Sequence, residues 1–377
     1  MYNFKEAKFG PNFAQDKMAD FKTLINRGIS FVTISMPGVG ASYFLKYLAC
    51  QNFAHFTAKQ EVYFIHVDMY SLPALTQHEF FKLLLEELGG KPAKKTDEQL
   101  LQDAKQILKD LLVKQPKIVL IFNRFDQLKS QFDENFLSRI QSLNAIDPDK
   151  IVLIFTSTKP LTEITPEALS GGNLNFYSEN LYFKPYSTAD LKEILEIDPG
   201  RLTTQENLDR LLKLSGGHNQ LLHILLSSQK EELLLDQFVK MQLKELMDYL
   251  SYSERKQVQK IALGKKVDDI DEYLLGIGMI IPEGKLFTPL LEDYIKTNLP
   301  AKLPVKENTL FKLLKASLGE IVPKDEIFKE VWGEDDDSAT DWALDALIYR
   351  LRKHPFMSSQ GYIIESHKKV GYTLIQT

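Results

Sequence analysis

Apolar, largely β-branched runs recur along the first 185 positions, at 29–35, 62–67, 117–122 and 151–156. None alternates apolar with polar residues, which is the pattern of strands covered by helices on both sheet faces. Between them apolar residues return every three or four positions, at 42–51, 77–88 and 98–114. That spacing gives amphipathic helices. Alternating strands and helices predict a three-layer α/β domain around a largely parallel sheet over residues 1–185. Past position 187 the strand pattern stops. Helical spacing covers 188–195, 205–214 and 219–227, with Gly216-Gly217 breaking the chain between the last two, and 233–250 reads as a further long helix.

Two similar small units follow. Positions 253–263 and 267–275 read as helices and 279–287 as a hairpin, predicting a first winged-helix domain over 236–299. The polar stretch flanked by Pro300 and Pro304, 300–307, reads as a linker. From 308 to 377 helices at 310–318, 324–332 and 341–353 precede two short strands at 362–365 and 372–375. Helix, helix, turn, recognition helix and β-wing is the layout that seats one helix in the major groove while the hairpin tip touches the backbone.

Composition adds limits rather than an identity. With 44% apolar and 26% charged residues among 377, the chain is of ordinary globular make-up and long enough for several domains. The formal charge of −5 excludes a protein that coats nucleic acid by net charge, so any DNA contact needs a local basic face. The one cysteine, Cys50, excludes a disulfide framework and suits a reducing compartment. No run approaches a membrane span and the N-terminus lacks a signal peptide's apolar core, so a soluble, cytoplasmic protein is expected. The seven histidines show no metal-ligand spacing, and no metal or catalytic residue is assigned. His66 and Asp68 alternate on a strand edge and read as a surface pair.

The last helix carries the most informative chemistry. Leu344, Ile348 and Leu351 form one apolar stripe, leaving Tyr349, Arg350 and Lys353 on other faces. From Trp342 onward five Lys/Arg (Arg350, Arg352, Lys353, Lys368, Lys369) face two acids (Asp345, Glu365), a local +3 in an acidic chain. The segments EIFKEVWG (326–333), LIYRLRK (347–353) and KVGYTL (369–374) resemble the OmpR/PhoB-type effector domain of two-component response regulators. The resemblance implies a recognition helix over 341–353 and double-stranded DNA as partner. Tyr349, Arg350, Lys353, Lys368 and Lys369 are its expected contacts. The acidic stretch 334–337 keeps open a winged helix used for protein contacts.

After the first strand, Ser35-Met36-Pro37-Gly38-Val39-Gly40-Ala41-Ser42 runs into a helix. Strand, glycine loop and helix N-terminus make an anion cradle. The segment resembles a Walker A loop with Ala41 at the lysine position, which forfeits a charge-assisted contact of about 1.5–3 kcal/mol. IVLIFNRFDQL (118–128) resembles the Walker B strand of AAA+/STAND ATPases, with Asn123 and Arg124 where that pattern has its acidic pair. Asp126 follows and is expected to cap or pair. Thr156 fits the family's polar sensor position. FKPYSTADL (183–191) and KLSGGHNQLL (213–222) resemble the family's strand-to-lid junction and lid helix, with Asn219 in place of a proline that contacts adenine. The implied fold is multidomain α/β plus α: a P-loop NTPase-like parallel sheet (1–185), a helical lid (186–235) and two winged-helix domains.

The expected nucleotide contacts are Pro37, Gly38, Val39, Gly40, Ala41, Ser42, Asn123, Asp126 and Thr156. ATP or ADP is the implied cofactor, with magnesium not tightly held. Together these features predict a bacterial DNA-binding transcription regulator with a switch module that does not hydrolyse ATP. That module could also self-associate or bind a protein partner. Two alternatives stand beside this: an unorthodox ATPase using Asp126, and an assembly protein using its winged helices for protein contacts.

Overall fold

A computed structural model describes residues 13–50, 62–169, 172–197, 204–298, 303–333, 340–354, 356–357, 360–368 and 370–376. Contacts divide the chain into two compact units. One is Met1–Tyr249 with Lys260–Glu292, the other Leu250–Gln259 with Asp293–Thr377. The side chain of Cys50, the acidic stretch 334–337 and Lys369 lie outside the described residues.

In the first unit β1 (Phe31–Ser35), β2 (Val62–Asp68), β3 (Lys117–Asn123), β4 (Ile151–Ser157) and β5 (Asn180–Phe183) form one parallel sheet in the order β2-β3-β4-β1-β5. The register runs from Phe31 opposite Ile154 and Ser35 opposite Phe183 outward to Val62 opposite Lys117. Every residue of β1, β3 and β4 is buried, as their unbroken apolar runs predict, whereas edge strand β2 is only partly covered.

Helices α1 (Gln15–Asn26), α2 (Ala41–Cys50), α3 (Gln77–Glu87), α4 (Asp97–Leu112) and α5 (Glu134–Asn144) accompany the strands. Local signals set several helix starts. Thr76 caps α3, Thr96 and Gln99 form a capping box on α4, and Asp133 caps α5. Phe80, Phe122, Phe125, Phe136 and Phe155 pack ring against ring beneath the sheet. Each such ring contributes on the order of 2–3 kcal/mol by burial.

Short helices α6 (Leu161–Ile164), α7 (Pro166–Leu169) and α8 (Leu174–Tyr177) lead to β5. The expected helices past 187 are present as α9 (Thr188–Ile197), α10 (Gln205–Ser215) and α11 (Asn219–Ser227). The expected long helix 233–250 is instead a 3₁₀ turn and α12 (Gln237–Asp248), because Asp236 accepts from Phe238 and Val239 N–H and starts a new helix. Then come α13 (Tyr252–Ala262), the short α14 (Glu272–Gly276), and a hairpin reduced to one antiparallel bridge, Ile280 with Leu286. Finally α15 (Pro289–Asn298) leads onward along the chain.

The second unit contains α16 (Val305–Ala316), β6 (Ile321–Pro323), α17 (Lys324–Trp332), α18 (Asp341–Lys353), β7 (Tyr362–His367) and β8 (Gly371–Gln376). The strands form an antiparallel sheet in the order β6-β8-β7. Helix α16 begins at Val305 with Pro304 at its N-cap, so the last residues read as linker are helical. Proline is tolerated at a helix start, where its missing N–H has no intrahelical partner. Leu344, Ile348 and Leu351 of α18 pack with Leu310, Leu314, Ile327 and Leu374, as their spacing requires. Among the described residues no helix is long and apolar enough to cross a membrane.

Candidate functional site

Carboxyl ends of β1, β3 and β4 open on one cavity of about 770 Å³. Parallel sheets place ligands there, where strand order switches sides, because strand-end loops and helix N-termini converge. Its lining includes Pro37, Gly38, Gly40, Ala41, Ser42, Asn123, Asp126, Thr156 and Asn219. Eight of the nine expected nucleotide contacts therefore share one wall. The ninth, Val39, is buried behind the loop.

The loop has the geometry its glycines suggest. Gly38 and Gly40 have φ of +74° and +112°, backbone that side-chain-bearing residues rarely adopt. The first bond inside α2 is Phe44 N–H to Gly40 O. The N–H groups of Ala41, Ser42 and Tyr43 therefore emerge from the helix end, with the positive end of its dipole. Lys46, exposed on the next turn, also lines the cavity.

At the end of β3, Asn123 is buried, and its Oδ1 accepts from Ser42 Oγ at 2.8 Å and Thr156 Oγ1 at 3.1 Å. Thr156 Oγ1 accepts in turn from Arg124 N–H at 2.5 Å. A neutral amide thus holds the loop serine and the β4 threonine together. Arg124, at φ +59°, folds back. Its guanidinium donates to both oxygens of Asp68, at 3.0 and 2.7 Å, and lies 4.9 Å from the Tyr70 ring centre. The surface pairing of His66 with Asp68 is therefore corrected, because Asp68 is taken by a bidentate guanidinium, the stronger partner. His66 sits half-buried, its Nε2 has no hydrogen-bond partner among the described residues, and burial lowers its pKa to about 4. Asp126 pairs, as expected: one carboxylate oxygen accepts from Thr158 N–H and Oγ1, each at 2.8 Å.

Helix α11 docks on the loop. Asn219 N–H donates to Val39 O at 3.4 Å and Gln220 N–H to Gly38 O at 3.0 Å. His218, fully buried, donates from Nε2 to Pro37 O at 2.8 Å while Nδ1 caps the helix by accepting from Leu221 N–H at 3.1 Å. That pattern requires the neutral ring, and burial lowers its pKa to about 4. The buried Tyr186 hydroxyl donates to Gly40 O at 3.1 Å. Among the described residues, Asn219 Oδ1 is buried without a hydrogen-bond partner. His218, Gln220 and Tyr186 were not assigned from sequence. The glycine pair before His218 marked the helix start, but nothing local indicates what the helix touches.

In the second unit Tyr349 and Lys353 of α18 are exposed, as expected, and Lys368 is exposed at the end of β7. Lys369 lies outside the described residues. Arg350 is not free: its Nε donates to Glu307 Oε1 at 2.9 Å, and Glu307 is only 7% exposed. Arg352 donates to Ile364 O at 3.0 Å and Ser366 Oγ at 2.6 Å. Tyr372 donates to Asp345 at 2.8 Å, and its pKa is pushed up to about 12 by burial and by that carboxylate. Trp342, absent from the sequence-based assignment, is 80% exposed on the same helix.

Residues 298–374 match the family model described as "Transcriptional regulatory protein, C terminal". No curated protein matches the chain. Among solved structures it is similar to the Aeropyrum pernix ORC1 protein in complex with DNA, at 12% identity over 99% of this chain and 90% of that one, with a TM-score of 0.46. It is also similar to a Walker-type ATPase of Pyrococcus abyssi, at 14% identity over 78% and 98%, with a TM-score of 0.48. Cdc6p from Pyrobaculum aerophilum gives 12% identity over 98% and 92%, at 0.41.

Proposed function

We propose that this chain is a DNA-binding transcription regulator. On this reading the winged helix over 308–377 binds duplex DNA, and the α/β module over 1–185, with its lid over 186–235, binds a nucleotide without hydrolysing it. Residues 236–299, which lie between these in the sequence, are read as a first winged helix. One observation carries the DNA part: the stretch matching the transcriptional-regulator model folds with α18 presenting an exposed face beside the β7–β8 hairpin. That is the arrangement in which a helix enters the major groove.

Support for the nucleotide part is the cavity itself. A phosphate fits against the N–H groups of Ala41, Ser42 and Tyr43, and the volume suits a nucleotide. The donor set does not fit magnesium well. Asn123 supplies a neutral amide oxygen already shared by two hydroxyls, Asp126 is committed to Thr158, and Asp68 to Arg124. Divalent magnesium prefers carboxylates and water in a strict octahedron. The same commitments disfavour the ATPase reading: Arg124 holds both oxygens of Asp68, and Thr158 holds one oxygen of Asp126.

The test is a titration of the full chain on a pool of genomic DNA fragments, with and without ATP. Sequence-selective binding that weakens steeply with salt supports the regulator. No binding at ~50 mM salt, where phosphate contacts are strong, removes it. Phosphate release abolished by Asp126→Asn would replace the nucleotide-holding reading with an enzyme.

A further inference from the structure

We propose that α18 reads A·T base pairs through apolar contact of Trp342 and Tyr349 with thymine methyl groups. The proposal rests on the DNA-binding reading above and names how that face selects sequence.

The commonest specific contact to a base edge is an arginine or lysine donating to the two acceptors of guanine. Here both arginines of α18 are tied to their own unit. Arg350 serves Glu307, a carboxylate so buried that releasing it would leave a charge without a partner. Arg352 is bound to the Ile364 carbonyl and the Ser366 hydroxyl on β7. Lys353 stands in the last turn of the helix, a point charge suited to phosphate.

What remains along the outer face is aromatic. Trp342 is 80% exposed and Tyr349 63% exposed. Seven residues separate them, two helical turns, so they lie about 10 Å apart on one stripe. Of the acids of that stretch, Asp341 is paired with Lys324 at 2.5 Å, and Asp345 accepts from a neutral partner, the Tyr372 hydroxyl, at 2.8 Å.

Two large rings on one exposed helix face are an apolar surface waiting for a partner. Charge selects which one. Among the described residues Arg352 donates to neutral acceptors, and Lys353 in the last turn of α18 and Lys368 just past β7 are exposed, so cations suited to phosphates stand at the C-terminal end of the aromatic stripe. The major groove is about 12 Å wide, admits a helix, and offers one apolar group, the C5 methyl of thymine.

The experiment uses the full chain and a duplex selected from a random pool, in which each thymine is replaced singly by uracil. This removes only the methyl group. At one or more adjacent positions affinity should fall about fourfold per methyl, the ratio that a buried CH₂ commands. Trp342→Ala should lower affinity for the thymine duplex and abolish the uracil effect, and Trp342→Phe should retain part of it. Both positions are exposed, so folding is unaffected.

Binding that is selective but indifferent to uracil overturns the inference and leaves the DNA reading intact. So does selection of guanine that depends on Arg350. Affinity unchanged in both Trp342→Ala and Tyr349→Ala also overturns it and assigns the stripe to a protein surface. Absence of binding to any duplex at low salt overturns the DNA reading as well.

Discussion

His218 accepts from Leu221 N–H on one nitrogen and donates to Pro37 O from the other, so only the neutral ring satisfies both bonds. Its pKa, about 4 when buried, rises to an ordinary 6.5 once the chain unfolds. The unfolded chain then takes up a proton that the folded chain refuses, so folding stability is lost as pH falls through that interval. The contribution is complete above pH 6.5 and shrinks by roughly 3 kcal/mol as pH drops to 4. Urea unfolding at several pH values should show a shallower dependence in His218→Gln, which lacks the titrating ring; identical slopes would remove His218 as the cause.

Asn123 poses a second residue-scale question, because its Oδ1 accepts two hydroxyls where a carboxylate would carry charge. Asn123→Asp restores an anion without changing shape, so magnesium should raise the melting temperature of the variant and leave the parent chain unmoved. A magnesium shift of equal size in both would show that the amide is not what excludes the metal.

At the scale of elements, the strand–loop–helix of β1 and α2 is held open by glycine. A Cβ at Gly40 would come within 2.6 Å of the Tyr186 ring and 3.2 Å of Asn219 Cβ, at a φ of +112°. Gly40→Ala should therefore cost about 1–3 kcal/mol of stability from backbone strain alone. If the cavity takes a nucleotide as proposed, the variant should also bind it more weakly by lifting α11 off the loop, which a thermal-shift titration with ATP reads. Arg350→Ala makes the complementary case in the other unit. Its main expected effect is a loss of about 1–2 kcal/mol in chemical denaturation, since Glu307 is left buried without its partner and solvent around Arg350 softens the cost. Base selectivity should be little changed.

Elements of this kind were legible where the pattern was long. Strands β1, β3 and β4 follow the unbroken apolar runs. Strand β5 did not announce itself, because Asn180–Phe183 is four residues, only the last of them fully buried, and its place beside β1 is set by a pairing some 150 positions away. Strand β6 ends in Pro323, a residue that argues against a strand unless it lies at an edge, which is where it lies. The glycine loop could be read directly. The bonds that finish the cavity could not, because Ser42 meets Asn123, Arg124 meets Asp68 and His218 meets Pro37 across 56 to 181 positions.

For the whole molecule, the sign of the charge sets the terms of DNA binding. The chain carries −5, so a distant duplex is repelled rather than steered, and the cations beside α18 must supply local attraction. Five basic residues from Trp342 onward suggest five phosphate contacts, but Arg350 is spent on Glu307. Arg352, Lys353 and Lys368 remain, with Lys369 outside the described residues. Each neutralised phosphate contributes a slope of about −0.9 to log affinity against log salt. The full chain should therefore show a slope of roughly −3 to −4 per DNA-bound copy. Lys353→Ala and Lys368→Ala should each flatten it by about one unit without changing the sequence preferred. Trp342→Ala should do the reverse, weakening selection while leaving the slope in place. A slope that Trp342→Ala flattens, or that Lys353→Ala leaves alone, would mean that the helix lies on DNA in another orientation, with its N-terminal turns along the phosphates and not in the groove.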